Sequence, residues 1–332
     1  MSTPPGGRPP TMHDVAAHAG VSHQTVSRVV NGSGSVKPAT RDRIALAIGQ
    51  LGYHGNLAAR MLATRRSRAI GVLAPEANDF GPTSTIHALE FAARSRGYRL
   101  IVITCLDSAD SVEESLSLLL QQAVEAIVVV APSARTAAMM ASFSGCPILS
   151  LQKGPERATP AVYIDQVAGV NMAIRHLAGL GHRRIQMVLG RADSVEAAQR
   201  HAAFEVAARS ADLHASTAVQ GDWTARSGFA AADRVDAATT AVFCANDQMA
   251  LGLIAGLHSR GLGVPEDISI VGFDDVPEAA YFQPALTTVR QDFARVGELA
   301  IDQLDGLLLT GRAAAARAIT PELIVRGSAR PL

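Results

Sequence analysis

At 332 residues the chain is longer than the roughly 100–200 residues of one typical domain, so at least two domains are expected. With 48% hydrophobic and 18% charged residues it can bury a sizeable core and is not a disordered polyelectrolyte. The zero net charge hides an asymmetry: residues 1–70 sum to +7 and the remainder to −7. A small basic head on an acidic body predicts that the head alone meets a polyanion.

Three widely spaced cysteines, Cys105, Cys146 and Cys244, sit in or beside apolar runs. They read as reduced core thiols and imply a cytoplasmic setting. No N-terminal stretch has the form of a secretion signal, and no run reaches the roughly 18 apolar residues of a membrane span. The opening MSTPPGGRPP, residues 1–10, is Pro/Gly-rich and is expected to be a disordered tail.

Thr11-Met12-His13-Asp14 has the form of a capping box, and Met12, Val15, Ala16 and Ala19 give the helix it opens one apolar face. Gly20 suits the positive φ of a helix end, and Ser22 suits the cap of the next helix. There Val26, Val29 and Val30 form the inner face, while His23, Gln24, Thr25, Ser27 and Arg28 face outward. Pro38 opens a third helix with the stripe Ile44, Ala45, Ile48 and Leu51, ending at Gly52. Helix, glycine turn, helix and bracing helix make a helix-turn-helix, whose second helix enters the major groove of DNA. His23, Gln24 and Arg28 are then the candidate base readers, since Gln can pair with adenine and Arg with guanine through two bonds. Thr25, Ser27 and Asn31 suit phosphate contacts. A small helical bundle used for protein contacts is the alternative on periodicity and charge alone.

The run Asp14–Ile44, DVAAHAGVSHQTVSRVVNGSGSVKPATRDRI, resembles the head of the lac-repressor (LacI/GalR) family nearly residue for residue. The resemblance implies a sequence-specific repressor of double-stranded DNA with a near-palindromic operator. His23 replaces a tyrosine of the family's type member, so a different operator is expected. Asn56–Ala63 matches the family's hinge helix, which folds on DNA and wedges a leucine, here Leu62, into the minor groove. A plain linker helix is the alternative.

Beyond residue 69, short apolar runs alternate with amphipathic stretches. Strands are expected at Ile70–Ala74, Leu100–Thr104, Ala126–Val130, Ile148–Leu151, Val162–Ile164, Ile185–Leu189, Ala241–Cys244 and Ile268–Gly272. Helical patterns between them include Thr83–Arg96, Ser111–Gln122 and Val167–Leu180. This alternation means helix-covered parallel sheets, too many strands for one sheet, and ligands at the strands' carboxyl ends.

The resemblance covers about residues 11–330 and implies two Rossmann-like lobes of the periplasmic-binding-protein type. The expected division is head 11–55, hinge and linker 56–66, and an effector-binding, dimerising body 67–332. The N-lobe comprises about 67–164 and 291–320, and the C-lobe about 165–290 and 321–332. Crossings are expected near Asp165, Arg290 and Thr320.

By the same resemblance Arg200, Asn246, Asp274 and Gln291 contact a sugar, Trp223 and Phe293 pack on its ring, and Asp79 and Pro82 form a lip of the N-lobe. Carboxylate, amide and guanidinium suit neighbouring hydroxyls, and aromatic rings suit the C–H face of a pyranose. On local sequence, Asn246 and Asp274 also read as helix N-caps, Trp223 as core and Arg200 as a solvated helix residue. Gln152 stands where the type member has an aspartate, which keeps hydrogen bonding but removes charge. That departure leaves the class of ligand but not the same sugar implied; the agreement of GDW, at Trp223, and QDF, at Phe293, makes a sugar effector, a galactoside in particular, the expectation, with a purine or other metabolite, or a sugar-binding protein without a DNA role, as alternatives.

The chain stops soon after ELIVRGS, without the leucine-heptad helix that makes the type member tetrameric, so a homodimer is expected. No metal cluster, phosphate loop or G-x-S-x-G elbow occurs, so neither a cofactor nor catalysis is expected. His182 in LGHRRI reads as a turn histidine rather than a base.

Overall fold

The computed structural model describes residues 8, 10–30, 35–53, 66–76, 79–131, 133–153 and 160–332. Most of the expected tail, Asn31, and the expected hinge with Leu62 lie outside these residues. The chain divides into two compact units, Met1–Ser67 and Arg68–Leu332.

The first unit is three helices: α1 (Met12–Ala19), α2 (His23–Val30) and α3 (Pro38–Leu51). The capping box forms, with Asp14 N donating to Thr11 Oγ1 and the Asp14 carboxylate accepting from Thr11 N at 2.7 Å. Those bonds from Thr11 hold the Asp14 carboxyl below its usual value. Gly20 takes φ 61° at the end of α1, and Ser22 Oγ accepts from Thr25 N to start α2. Val15, Ala16, Ala19, Val26, Ile44, Ala47 and Tyr53 form the core. Ala45 is a correction: it is exposed, and Ala47 takes the inner place. Positions 44, 47, 48 and 51 keep to one helical face, whereas 45 lies about 100° from 44.

The second unit holds two lobes. A four-stranded parallel sheet, ordered β2-β1-β3-β4, uses β1 (Ala69–Pro75), β2 (Arg99–Cys105), β3 (Ala126–Val129) and β4 (Ile148–Ser150). Period-two alternation serves both faces. Ile70, Val72 and Val128 join one apolar cluster with α4 (Phe80–Ser95) and α11 (Phe293–Thr310), while Leu73, Ile127 and Val129 join another with α5 (Ala109–Gln121) and α6 (Ala134–Ser142). A sheet buried on both faces needs such continuous apolar strands.

The other lobe is a seven-stranded sheet. It contains β6 (Arg184–Leu189), β7 (His214–Ala215), β8 (Val219–Gln220), β9 (Ala241–Cys244), β10 (Ser269–Asp274), β11 (Thr287–Arg290) and β13 (Glu322–Ile324). The strands are parallel except β13, which is antiparallel to β11. Helices α7 (Gln166–Gly179), α8 (Val195–Ser210), α9 (Ala225–Ala231) and α10 (Asp247–Ser259) accompany it. Phe204, Phe243 and Phe273 are the largest fully buried side chains of its core.

The chain passes between the lobes three times: from β5 (Val162–Ile164) through Asp165 into α7, from β11 through Gln291 into α11, and from β12 (Arg317–Ile319) into β13. β5 and β12 pair with each other as a small parallel sheet at this junction. Strands β7, β8, β11, β12 and β13, of two to four residues, were not anticipated from sequence; they are too short to show a period. The three thiols are free, with Cys105 and Cys244 buried. His182 is buried in the C-lobe, bonding Thr240 Oγ1 at 3.0 Å and the carbonyl of Arg330 at 3.1 Å, as a structural residue does.

Candidate functional sites: an inter-lobe cleft and a helical face

Asp79, Pro82, Gln152, Arg200, Trp223, Asn246, Asp274, Gln291 and Phe293 all line a single cleft between the lobes. Its empty space, out to the open mouth, is about 910 Å³. Asp274 is the last residue of β10 rather than a residue after it, because the strand runs two residues further than expected. It is not a helix cap. Its backbone takes φ 117°, and that of Trp223 φ 76°, conformations that cost a non-glycine residue about 1–3 kcal/mol.

A four-residue polar chain floors the cleft. Arg200 Nε donates to Gln166 Oε1 at 2.8 Å, Gln166 Nε2 donates to Gln291 Oε1 at 3.4 Å, and Gln291 Nε2 donates to Asp274 Oδ1 at 2.6 Å. A guanidinium can only donate, so it fixes the orientation of both amides in turn. Arg200 Nη1 also donates to the carbonyl of Ala245 and lies 3.9 Å from Asp274 Oδ1. Its guanidinium lies 3.8 Å above the Phe273 ring. Arg200 is 3% exposed, which overturns the solvated reading.

Burial pushes the Asp274 carboxyl up to about 7, against the opposing pull of Arg200 and the Gln291 bond. Burial likewise draws the Arg200 guanidinium down, while Asp274 supports its charge. Beneath them Asp247, fully buried, accepts from Val276 N and Thr288 Oγ1, and burial raises it well above the ordinary carboxylate value.

Asn246 is the N-cap of α10, accepting from Met249 N at 2.9 Å. Its two amide N–H groups serve the carbonyl of Trp223 and Gln248 Oε1, so only Oδ1 has capacity left for a ligand. The Trp223 ring belongs both to the C-lobe core and to the cleft wall, and lies against Gly190, where a Cβ would come within 2.1 Å of it. From the other lobe Phe293 meets Phe80 edge to face at 5.8 Å. Gln152 is buried two residues past the end of β4. Asp79 precedes α4 and stands 3.8 Å from Arg191 of the other lobe; burial raises its carboxyl while Arg191 lowers it.

On the head, His23, Gln24 and Arg28 are exposed along α2, and Thr25 and Ser27 are half-buried. Thr25 is tied to Ser22 by its hydroxyl at 2.9 Å. The His23 ring stacks on His13 of α1 at 4.4 Å.

Residues 11–56 match the pattern of "Bacterial regulatory proteins, lacI family", and residues 174–329 that of the "Periplasmic binding protein-like domain". The chain is 32% identical to the HTH-type transcriptional repressor PurR of Haemophilus influenzae, over 97% of this chain and 99% of that one. It is 32% identical to the lactose operon repressor of Escherichia coli, over 90% and 84%. A lac repressor dimer bound to operator and the anti-inducer ONPF matches with TM-score 0.86 at 31% identity, over 97% and 100%.

This chain belongs to the lacI family. It is a DNA-binding transcriptional repressor, as its relatives are, and not an enzyme. Among the described residues no helix is long and apolar enough to cross a membrane.

Sequence reasoning missed several parts of the repressor's cleft. Gln166 directly follows the Asp165 crossing, and that position was its one signal. Phe80, Arg191, Glu196 and Gln199 line the cleft from loops and first helical turns, where periodicity carries no information. His13 had none of the family resemblance drawn on for His23.

Proposed function

We propose that this repressor's hold on its operator is set by a sugar, a galactoside in particular, bound between the lobes. The observation that supports this most is the pairing of the Arg200–Gln166–Gln291–Asp274 chain with the Trp223 wall. A row of fixed donors and acceptors suits neighbouring hydroxyls, and an aromatic wall suits the apolar face of the ring that bears them. Asp79, Pro82, Gln152, Asn246 and Phe293 complete the contacts.

His23, Gln24 and Arg28 read base edges in the major groove, with Thr25, Ser27 and Asn31 on phosphates and Leu62 wedged in the minor groove. Two copies of the chain bind a near-palindromic site, the symmetry of the dimer matching that of the DNA. The sugar acts by favouring one relative position of the lobes, which separates the paired hinges and releases the operator. The protein works in the cytoplasm.

A purine effector is the second reading, favoured by the relatives named PurR. Fluorescence anisotropy on the region upstream of the repressor's own gene, with galactosides and purine bases added in turn, separates the two. Release by a galactoside alone is the expected result; release by a purine base alone overturns the sugar.

A further inference from the structure

His13 stands in the first turn of α1 and His23 is the first residue of α2. Their rings stack, with centroids 4.4 Å apart and planes 21° from parallel. Both residues are exposed, as is Gln24 next to His23. Imidazole is the side chain that gains or loses its charge between about pH 5 and pH 8. Charged, it has two N–H donors and no acceptor; neutral, it has one of each. Two rings at this spacing repel each other if both are charged, so the pair holds one proton. The face of the neutral ring then attracts the charged one.

The charged groups around the pair do not hold that proton in the free head. Asp14 is committed to Thr11 and Arg8, with Thr11 N and Oγ1 each donating at 2.7 Å. The Thr11 bonds lower the Asp14 carboxyl most and the His13 charge lowers it least. His18 is bonded to Gln50 Oε1 at 2.7 Å. Among the described residues, Arg28 on α2 and Lys37, Arg41, Asp42 and Arg43 in and before α3 make no hydrogen bond or ion pair with either imidazole. DNA brings the missing counter-charge, since phosphates beside the pair favour the charged ring.

We propose that His13 and His23 form a single proton-linked reading unit. On the operator His23 carries the proton and donates to O6 or N7 of a guanine, and His13 is the positioning residue that backs its ring. This rests on the placing of α2 in the major groove proposed above. A bond from a charged donor is about twice as strong as one from a neutral donor. The preference for guanine therefore falls as pH rises, and operator binding takes up one proton per chain. The phenol that the family's type member has in place of His23 stays neutral over this range.

The probe is a fluorescein-labelled duplex selected by the full-length repressor from a randomised library. Anisotropy is read between about pH 6 and pH 8 at constant ionic strength. Affinity is expected to fall tenfold or more over that span, against less than threefold for a random duplex. Replacing the guanine that His23→Ala no longer distinguishes should cost tenfold or more at the lower pH and under threefold at the higher. His13→Ala should cut that discrimination to under threefold, and His13→Phe, which keeps a stacked ring, should restore it to within twofold of the wild type. Both histidines are exposed, so none of these changes removes a core contact. A preference that His23→Ala abolishes but pH does not alter overturns the proton linkage and leaves the base reading standing. Equal pH dependence on cognate and random duplexes also overturns it, by assigning the proton to phosphate contact. His13→Phe behaving as His13→Ala overturns the role of the stack. Full base preference retained in His23→Ala overturns both the inference and the reading it rests on.

Discussion

Asp274 ends a buried strand with a left-handed backbone, a raised carboxyl and one strong partner, Gln291. Its folded value of about 7 lies above the ordinary 3.8, so the folded protein holds this proton more firmly than the unfolded chain. Its contribution to stability is full below about pH 4 and is lost as pH rises through 7, on the order of a few kcal/mol. Asp274→Asn should remove that slope, so the variant gains on the wild type between pH 5 and pH 8 in urea unfolding. A constant difference between the two proteins would show that Asp274 does not titrate there. Gly190 faces the Trp223 ring with no room for a methyl group. Gly190→Ala should displace the ring at a cost of about 1–3 kcal/mol, red-shift its emission and weaken effector binding. An unchanged spectrum would mean that the ring does not depend on this contact. Residue type alone left Asp274 open as a helix cap, Trp223 as core and Arg200 as a solvated residue; the family resemblance grouped them, and the structure brings all three to one cleft. Neither the left-handed backbone of Asp274 nor the amide relay through Gln166 is visible in sequence, since both come from strands and crossings meeting in space.

Helices were legible where capping and period agreed. Thr11, Asp14, Gly20 and Ser22 each mark an end of α1 or α2, and the structure uses all four. The long strands were legible for the same reason, being continuous apolar runs between turns. The short ones were not: β11 reads as TTVR, with two threonines that lie fully buried. Thr288 there donates to the buried Asp247, and Thr287 N donates to Ser328 Oγ, so burial is achieved by bonding rather than by apolarity. If the outward side chains of α2 read bases as proposed, Arg28→Ala should cost about 1–3 kcal/mol at the cognate operator and relax one base preference. Effector affinity should stay within twofold. Equal losses on cognate and random duplexes would instead assign Arg28 to phosphate.

Across the whole molecule, charge is partitioned, with +7 in residues 1–70 and −7 beyond them. Operator affinity should therefore fall by an order of magnitude or more between about 50 and 200 mM salt. Affinity for an uncharged sugar should hardly move. Linkage joins the two sites: an effector that releases operator must bind the operator complex more weakly than free repressor, by the same factor. Titrating effector with and without saturating operator checks this, and equal affinities would refute induction.

The threefold passage between lobes has a consequence for synthesis. The N-lobe waits for α11 and the C-lobe sheet for β13, with Ser328 bonding across to Ile270 and Thr287. On the ribosome the small helical unit emerges first and can close its own core, while the N-lobe stays incomplete until α11 and β12 arrive and the C-lobe until β13 does. A message truncated before residue 317 would thus yield a chain with a closed helical head and two lobes that each lack a strand.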